Sequence, residues 1–230
     1  MTAGRAQLHR LELLLIAVAL LAILTSVLGP RLAHYILKPV VMLVAIVFVA
    51  VRAYSSGFTA RFDLILAAAL MASLAGDVFL MLPGNFFIPG LASFLIAHLF
   101  YMALFRQGVP WFASRPALIG TLGVGAAMYT WIWPGLTDPV LKIAVAAYVS
   151  VIALMVAQAI GRATLLRDPS ALAVALGAAI FMLSDSLIAV NRFVQALPLV
   201  SLWVLGTYYL AQLLMVHNAK PVAAAPTTLG

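Results

Sequence analysis

Apolar runs of about 20 residues recur along almost the whole of this 230-residue chain, broken by Gly-Pro, Pro-Gly and short basic segments. A run of that length crosses the roughly 30 Å hydrocarbon core of a bilayer as a helix. Within hydrocarbon every backbone N–H and C=O must be paired inside the protein, which leaves helices and closed barrels. Barrel strands alternate apolar and polar residues, and these runs do not. Hydrophobic residues make up 66% of the chain and charged residues only 8%, against about 25% charged in a soluble domain. Such a surface has to face lipid. The expected fold is therefore all-α, a polytopic transmembrane bundle of about eight helices.

Runs and breakers predict helices at roughly 11–28, 35–53, 62–82, 89–105, 116–133, 139–161, 170–191 and 198–217. These form one transmembrane domain over residues 1–218. The segment 219–230, rich in Pro, Ala and Thr, reads as a disordered tail. Arg5 and Arg10 precede the first run as they would in a signal peptide. That run is long, lacks a clear small-x-small cleavage site and is followed by many like it, so an uncleaved helix is expected.

The loops carry an orientation signal. Arg5, Arg10, Arg52, Arg61, Arg106, Arg115, Arg162, Arg167 and Lys220 fall on one side of the expected bundle. Only Arg31 and Arg192 lie in loops on the other, with Lys38 and Lys142 just inside helices near it. Basic residues gather on the cytoplasmic side, so both termini are expected in the cytoplasm, most naturally beneath a bacterial inner membrane. The net charge of +7 is accounted for by these loops, and nucleic acid is not an expected partner. With no cysteine, disulfides are excluded.

A faint repeat runs through the chain. Leu37-Lys38 opens helix 2 as Leu141-Lys142 opens helix 6. Asp77 in helix 3 matches Asp185 in helix 7, and Phe100-Tyr101 in helix 4 match Tyr208-Tyr209 in helix 8. A parallel four-plus-four duplication and chance similarity between apolar helices both fit this pattern.

Of the six acidic residues, Glu12, Asp63, Asp138 and Asp168 sit at helix ends or in loops, where water or a capping role suffices. Asp77 (in LMASLAGDVFLML) and Asp185 (in AAIFMLSDSLIAV) lie inside apolar runs. An ionisable group at such depth costs about 2.5–3.5 kcal/mol on insertion scales. Both fall about 10 Å in from the same face, given ~1.5 Å rise per residue, and two carboxyls at one depth can meet across a bundle. The alternative is a pair of unrelated interhelical hydrogen bonds. Lys38 either meets a phosphate or carboxylate, or snorkels to the interface. His98, mid-helix with Tyr101 one turn on, is a polar lining residue or a satisfied interhelical contact. Tyr208, Tyr209 and Gln212 in helix 8 complete the polar set. No GxSxG, HExxH or P-loop is present. No ligand spacing signals a metal, and no cofactor is expected.

Taken together, these residues resemble the YhhN family, which includes the lysoplasmalogenases. The resemblance rests on Lys38-Pro39, Gly76-Asp77-Val78-Phe79-Leu80-Met81, Gly90, Phe94, Ala97-His98 and Tyr101. Gly177-Ala178, Phe181, Ser184-Asp185, Tyr208-Tyr209 and Ala211-Gln212 continue it. It runs from helix 2 to helix 8. What it implies is hydrolysis of the vinyl-ether bond of a lysoplasmalogen, giving a fatty aldehyde and a glycerophospho-alcohol. The implied partners are a lysophospholipid substrate and the surrounding membrane lipids.

The residues suit that chemistry independently. A vinyl ether is cleaved by protonating its β-carbon, and water traps the resulting oxocarbenium ion. Glycosidases meet a similar ion with two carboxyls. Two carboxyls sharing a dry site cannot both ionise easily, so one keeps its proton. Asp77 and Asp185 are the expected catalytic pair, with the proton on Asp77 and the base role on Asp185. Lys38, His98, Tyr101, Tyr208, Tyr209 and Gln212 are the expected substrate-binding residues. Paired intramembrane carboxyls also suit a proton-coupled transporter, and a non-catalytic membrane protein whose aspartates hold helices together is a third reading.

Overall fold

A computed structural model of the protein describes residues 3–55 and 60–222. The described residues form eight α-helices: α1 (Ala3–Leu28), α2 (Arg31–Ser55), α3 (Ala60–Met81), α4 (Phe87–Arg106), α5 (Arg115–Ile132), α6 (Pro139–Leu166), α7 (Pro169–Phe193) and α8 (Val200–Asn218). A short 3-10 turn, Trp133–Gly135, joins α5 to α6. The expected all-α bundle is what forms.

The boundaries follow local chemistry. Side-chain oxygens of Ser114, Asp138 and Asp168 accept from Ala117, Val140 and Ala171 N–H at the starts of α5, α6 and α7. Each helix carries a proline in its first turn, where the missing N–H costs nothing. Three boundaries differ from expectation: α1 starts at Ala3 rather than at 11, α6 runs on to Leu166 rather than 161, and α2 starts early. Gly29-Pro30 ends α1, but α2 resumes at once at Arg31, so Pro39 sits inside α2 rather than near its start.

Seven of the helices are long and apolar enough to cross a membrane. The exception is α5, with 18 residues, or about 27 Å at 1.5 Å per residue. Gly120, Gly123 and Gly125 and the leading Arg115-Pro116 dilute its apolar character. It packs along α6 and turns Ile119, Val124 and Trp131 outward.

The distribution of bulk is that of a protein in lipid. Large apolar side chains such as Leu20, Ile119, Ile143 and Leu172 point outward. Small ones, among them Ala45, Ala69, Ala97, Ala153, Ala178 and Ala211, fill the buried contacts, so helix backbones approach closely. The closest neighbours are α3 with α4 and α7 with α8; α2 packs on α3, α6 on α7, and α4 bridges to α6.

One end of the bundle is pinned twice by the same device. Arg52 of α2 donates to the Val216 carbonyl at the end of α8 (2.7 Å) and pairs with Asp63 of α3 (3.0 Å). Arg162 of α6 donates to the carbonyls of Gln107 and Phe105 at the end of α4 (2.6 and 3.3 Å). Both guanidinium groups satisfy carbonyls that a helix C-terminus leaves free. Arg162 also donates to the Lys220 carbonyl at 2.8 Å, and Lys220 Nζ to Ser170 Oγ at 3.0 Å. Residues 219–222 of the expected tail are therefore held against the bundle. Residues 223–230 lie outside the described residues.

Candidate active site

Asp77 follows Gly76 on the face of α3 that meets α4. Two glycines let these helices close up. A Cβ on Gly76 would come within 2.5 Å of the Phe94 ring, and one on Gly90 within 2.6 Å of the Leu80 side chain. Asp77 is only 2% exposed. Lys38 of α2 places its Nζ 3.2 Å from Asp77 Oδ1, and the Tyr208 hydroxyl of α8 donates to Oδ2 at 2.7 Å. That hydroxyl also lies 3.4 Å from Met42 Sδ. Lys38 thus turns inward to a carboxylate rather than snorkelling outward.

Asp185 follows Ser184, whose hydroxyl donates to the Val204 carbonyl (3.0 Å) and ties α7 to α8. The Tyr148 hydroxyl of α6 donates to Asp185 Oδ2. His98 of α4 brings Nε2 to 3.8 Å from the same oxygen, beyond hydrogen-bond length. The imidazole is fully buried, neither nitrogen has a hydrogen-bond partner, and the ring packs edge-on against Tyr148 and Phe181 at 5.2 and 4.9 Å.

Phe181 joins the two halves of the site. Its ring contacts His98 on the Asp185 side and Tyr208 on the Asp77 side, the latter at 5.3 Å. Tyr101 donates to Gln212 Oε1 at 2.6 Å and contacts Phe181 at 6.4 Å. Tyr209 lies against Tyr208 at 5.4 Å, its hydroxyl without a hydrogen-bond partner. All eight expected residues therefore lie in one connected group, in which each aspartate has a separate set of polar contacts. Among the described residues no three histidine, aspartate or glutamate side chains converge as metal ligands would.

Asp185 opens onto a narrow cleft. Its walls are apolar, among them Leu91, Phe94, Met128, Val149 and Met182, with Asp185, Tyr148 and Ser186 as the polar exceptions. Asp77 does not line it. A second, more polar recess is lined by His34, Lys38, Asn191 and Arg192. The two adjoin, since Leu80, Phe87 and Ile188 wall both. Tyr148 was not singled out in the sequence. A tyrosine in an apolar run is common near membrane interfaces, and only its mid-run position hinted at a buried partner.

The sequence profile of the YhhN family matches residues 33–219. The chain belongs to the YhhN family. The matched segment contains every residue of the site, from His34 to Gln212. Among curated relatives, a lysoplasmalogenase of Mycobacterium bovis is 31% identical over 174 residues, covering 70% of this chain and 65% of the relative. Lysoplasmalogenase TMEM86B of Homo sapiens is 30% identical over 172 residues, 75% of this chain and 69% of the relative. That of Sus scrofa is 32% identical over 180 residues, 78% and 72%. The chain spans just under two thirds of the length of the mycobacterial relative. No solved structure matches it. In this YhhN chain, then, an acid opens onto an apolar cleft, a second acid is held by a lysine, and a cationic recess adjoins the cleft.

Proposed function

We propose that this protein hydrolyses the vinyl-ether bond of a lysoplasmalogen, releasing a fatty aldehyde and a glycerophospho-alcohol. The observation that carries the reading is Asp185, hydrogen-bonded by Tyr148 at the wall of an otherwise apolar cleft. An alkenyl chain would lie in that cleft with its first double bond at the carboxyl, and the relatives named lysoplasmalogenase act on such lipids.

The geometry favours the proton on Asp185 rather than on Asp77, where the sequence reading put it, and leaves the later base role with Asp185. Asp77 is paired with the Lys38 ammonium and accepts from Tyr208, which suits a permanent carboxylate. Among the described residues no lysine or arginine pairs with Asp185, and it faces the cleft, which suits a proton donor. Asp185 gives its proton to the β-carbon of the vinyl ether, and the electron pair of the C=C bond forms the new C–H bond. The oxocarbenium ion so formed is stabilised by the Asp185 carboxylate left beside it, an effect strengthened where water is excluded, while Asp77 stays the carboxylate that holds Lys38 and Tyr208 in place. Asp185, now a carboxylate, takes a proton from the attacking water as its oxygen bonds to the cationic carbon. The hemiacetal then collapses: the C–O bond to glycerol breaks, the hydroxyl proton passes to the departing oxygen, and one water has been consumed.

The same reading places the protein in a bacterial inner membrane with both termini in the cytoplasm, on the loop bias of arginine and lysine. An even number of crossings then requires α5 to span as well.

Hydrolysis in D2O tests the chemistry. Aldehyde trapped at once by reduction should carry one deuterium on the carbon next to the carbonyl carbon. Aldehyde without it would rule out protonation of the β-carbon.

A further inference from the structure

The recess beside the cleft contains a cation without an anion. Arg192, one residue before the end of α7, holds its guanidinium 4.0 Å from the centre of the Phe87 ring. Among the described residues no carboxylate lies within ion-pair distance of it. Stacking on an aromatic face leaves the N–H edge of a guanidinium free to bind an anion. His34 lines the same recess. Lys38, the third basic group there, is shared with Asp77.

Arg192 also stands in register with the acid. Seven residues separate it from Asp185, so both fall on one face of α7, with Ile188 between them as a wall of both cavities. The offset along the helix is about 10 Å at 1.5 Å per residue. In a lysoplasmalogen seven covalent bonds separate the phosphorus from the β-carbon of the vinyl ether, a comparable length. A lipid with its alkenyl carbon at Asp185 and its chain in the cleft brings its phosphate to the recess.

We propose that Arg192 and His34, assisted by Lys38, form the subsite for the substrate's phosphate, and that α7 sets the distance from that phosphate to the bond that breaks. This rests on the hydrolase reading and extends it. The subsite selects an anionic phosphate on the lipid, and Arg192 acts as its bidentate anchor.

The test compares two substrates, a 1-alkenyl glycerophosphocholine and the phosphate-free 1-alkenylglycerol, in wild type, Arg192→Gln and Arg192→Lys. In Arg192→Gln the kcat/KM ratio of phospholipid to neutral lipid should fall by about tenfold or more, carried mainly by KM, as expected for loss of a charged hydrogen bond. Arg192→Lys should recover part of it, because the charge stays while the fork is lost. An unchanged ratio, or an equal fall on both substrates, overturns the subsite. A second arm needs no turnover. A non-cleavable 1-alkyl glycerophosphocholine should raise the melting temperature of wild type and not of Arg192→Gln, and inorganic phosphate at the same concentration should have no such effect. Equal stabilisation by inorganic phosphate would make this a simple anion site and overturn the proposal. Should wild type release aldehyde from neither substrate, the hydrolase reading fails, while the analogue arm still decides the phosphate subsite.

Discussion

The Tyr148 hydroxyl donates to Oδ2 of Asp185 where that carboxyl meets the apolar cleft. The bond joins α6 to α7 and fixes which way the acid points. A proton donor that must reach a particular carbon of a flexible lipid depends on such positioning.

Tyr148→Phe keeps the ring and its edge contact with His98 and removes only the hydroxyl. As Asp185 gives up its proton this bond becomes one to a charged group, which contributes about 1.5–3 kcal/mol. The variant should therefore lose about 10- to 100-fold in kcat with little change in KM, read by aldehyde release under saturating lipid. A wild-type kcat would show that Tyr148 does not position the acid.

Lys38 and Asp77 are both largely buried and 3.2 Å apart. Removing one member of a buried pair strands the other, at about 3–5 kcal/mol. Lys38→Met should therefore lower the stability in detergent by that amount, and Lys38→Met/Asp77→Asn should regain much of it. The measurement is a double-mutant cycle on thermal or denaturant unfolding. Additive losses in the double variant would mean the two groups do not depend on each other.

Gly125 of α5 lines the cleft opposite α6, where a Cβ would sit 3.0 Å from Val149 Cγ1. Gly125→Leu should fill space that a long alkenyl chain needs. Its kcat/KM should fall by about tenfold more for a long-chain than for a short-chain substrate, a difference of roughly 1.4 kcal/mol. Equal losses for both would place the chain elsewhere.

Much of this architecture was legible before any coordinates, because lipid leaves a chain so few options. Apolar runs marked most helix ends closely, though α1 starts at Ala3 rather than at residue 11, and Asp168, placed at a helix end, caps α7. Asp77 and Asp185 stood out because a carboxyl in an apolar run needs a reason. What escaped notice depended on the third dimension. Lys38 could have snorkelled, and only the approach of α2 to α3 decides that it pairs with Asp77. Tyr148 went unremarked in the sequence, and only the packing of α6 against α7 gives its hydroxyl a carboxyl partner. Arg52 and Arg162 read as loop charges, yet each reaches the carbonyls of a helix far away in sequence. The sequence counted α5 with the rest, yet its glycines and its 18 residues leave it outside the seven helices long and apolar enough to span.

Aldehyde release from a lysoplasmalogen by the purified protein, beside its Asp185→Asn variant, tests the central claim most directly. Wild type should form one fatty aldehyde for each glycerophospho-alcohol. Asp185→Asn, which keeps the shape of the side chain and removes the acid, should be slower by a factor of about 100–10,000, the usual contribution of a positioned proton donor. No aldehyde from wild type, or an unchanged rate in Asp185→Asn, would contradict the account.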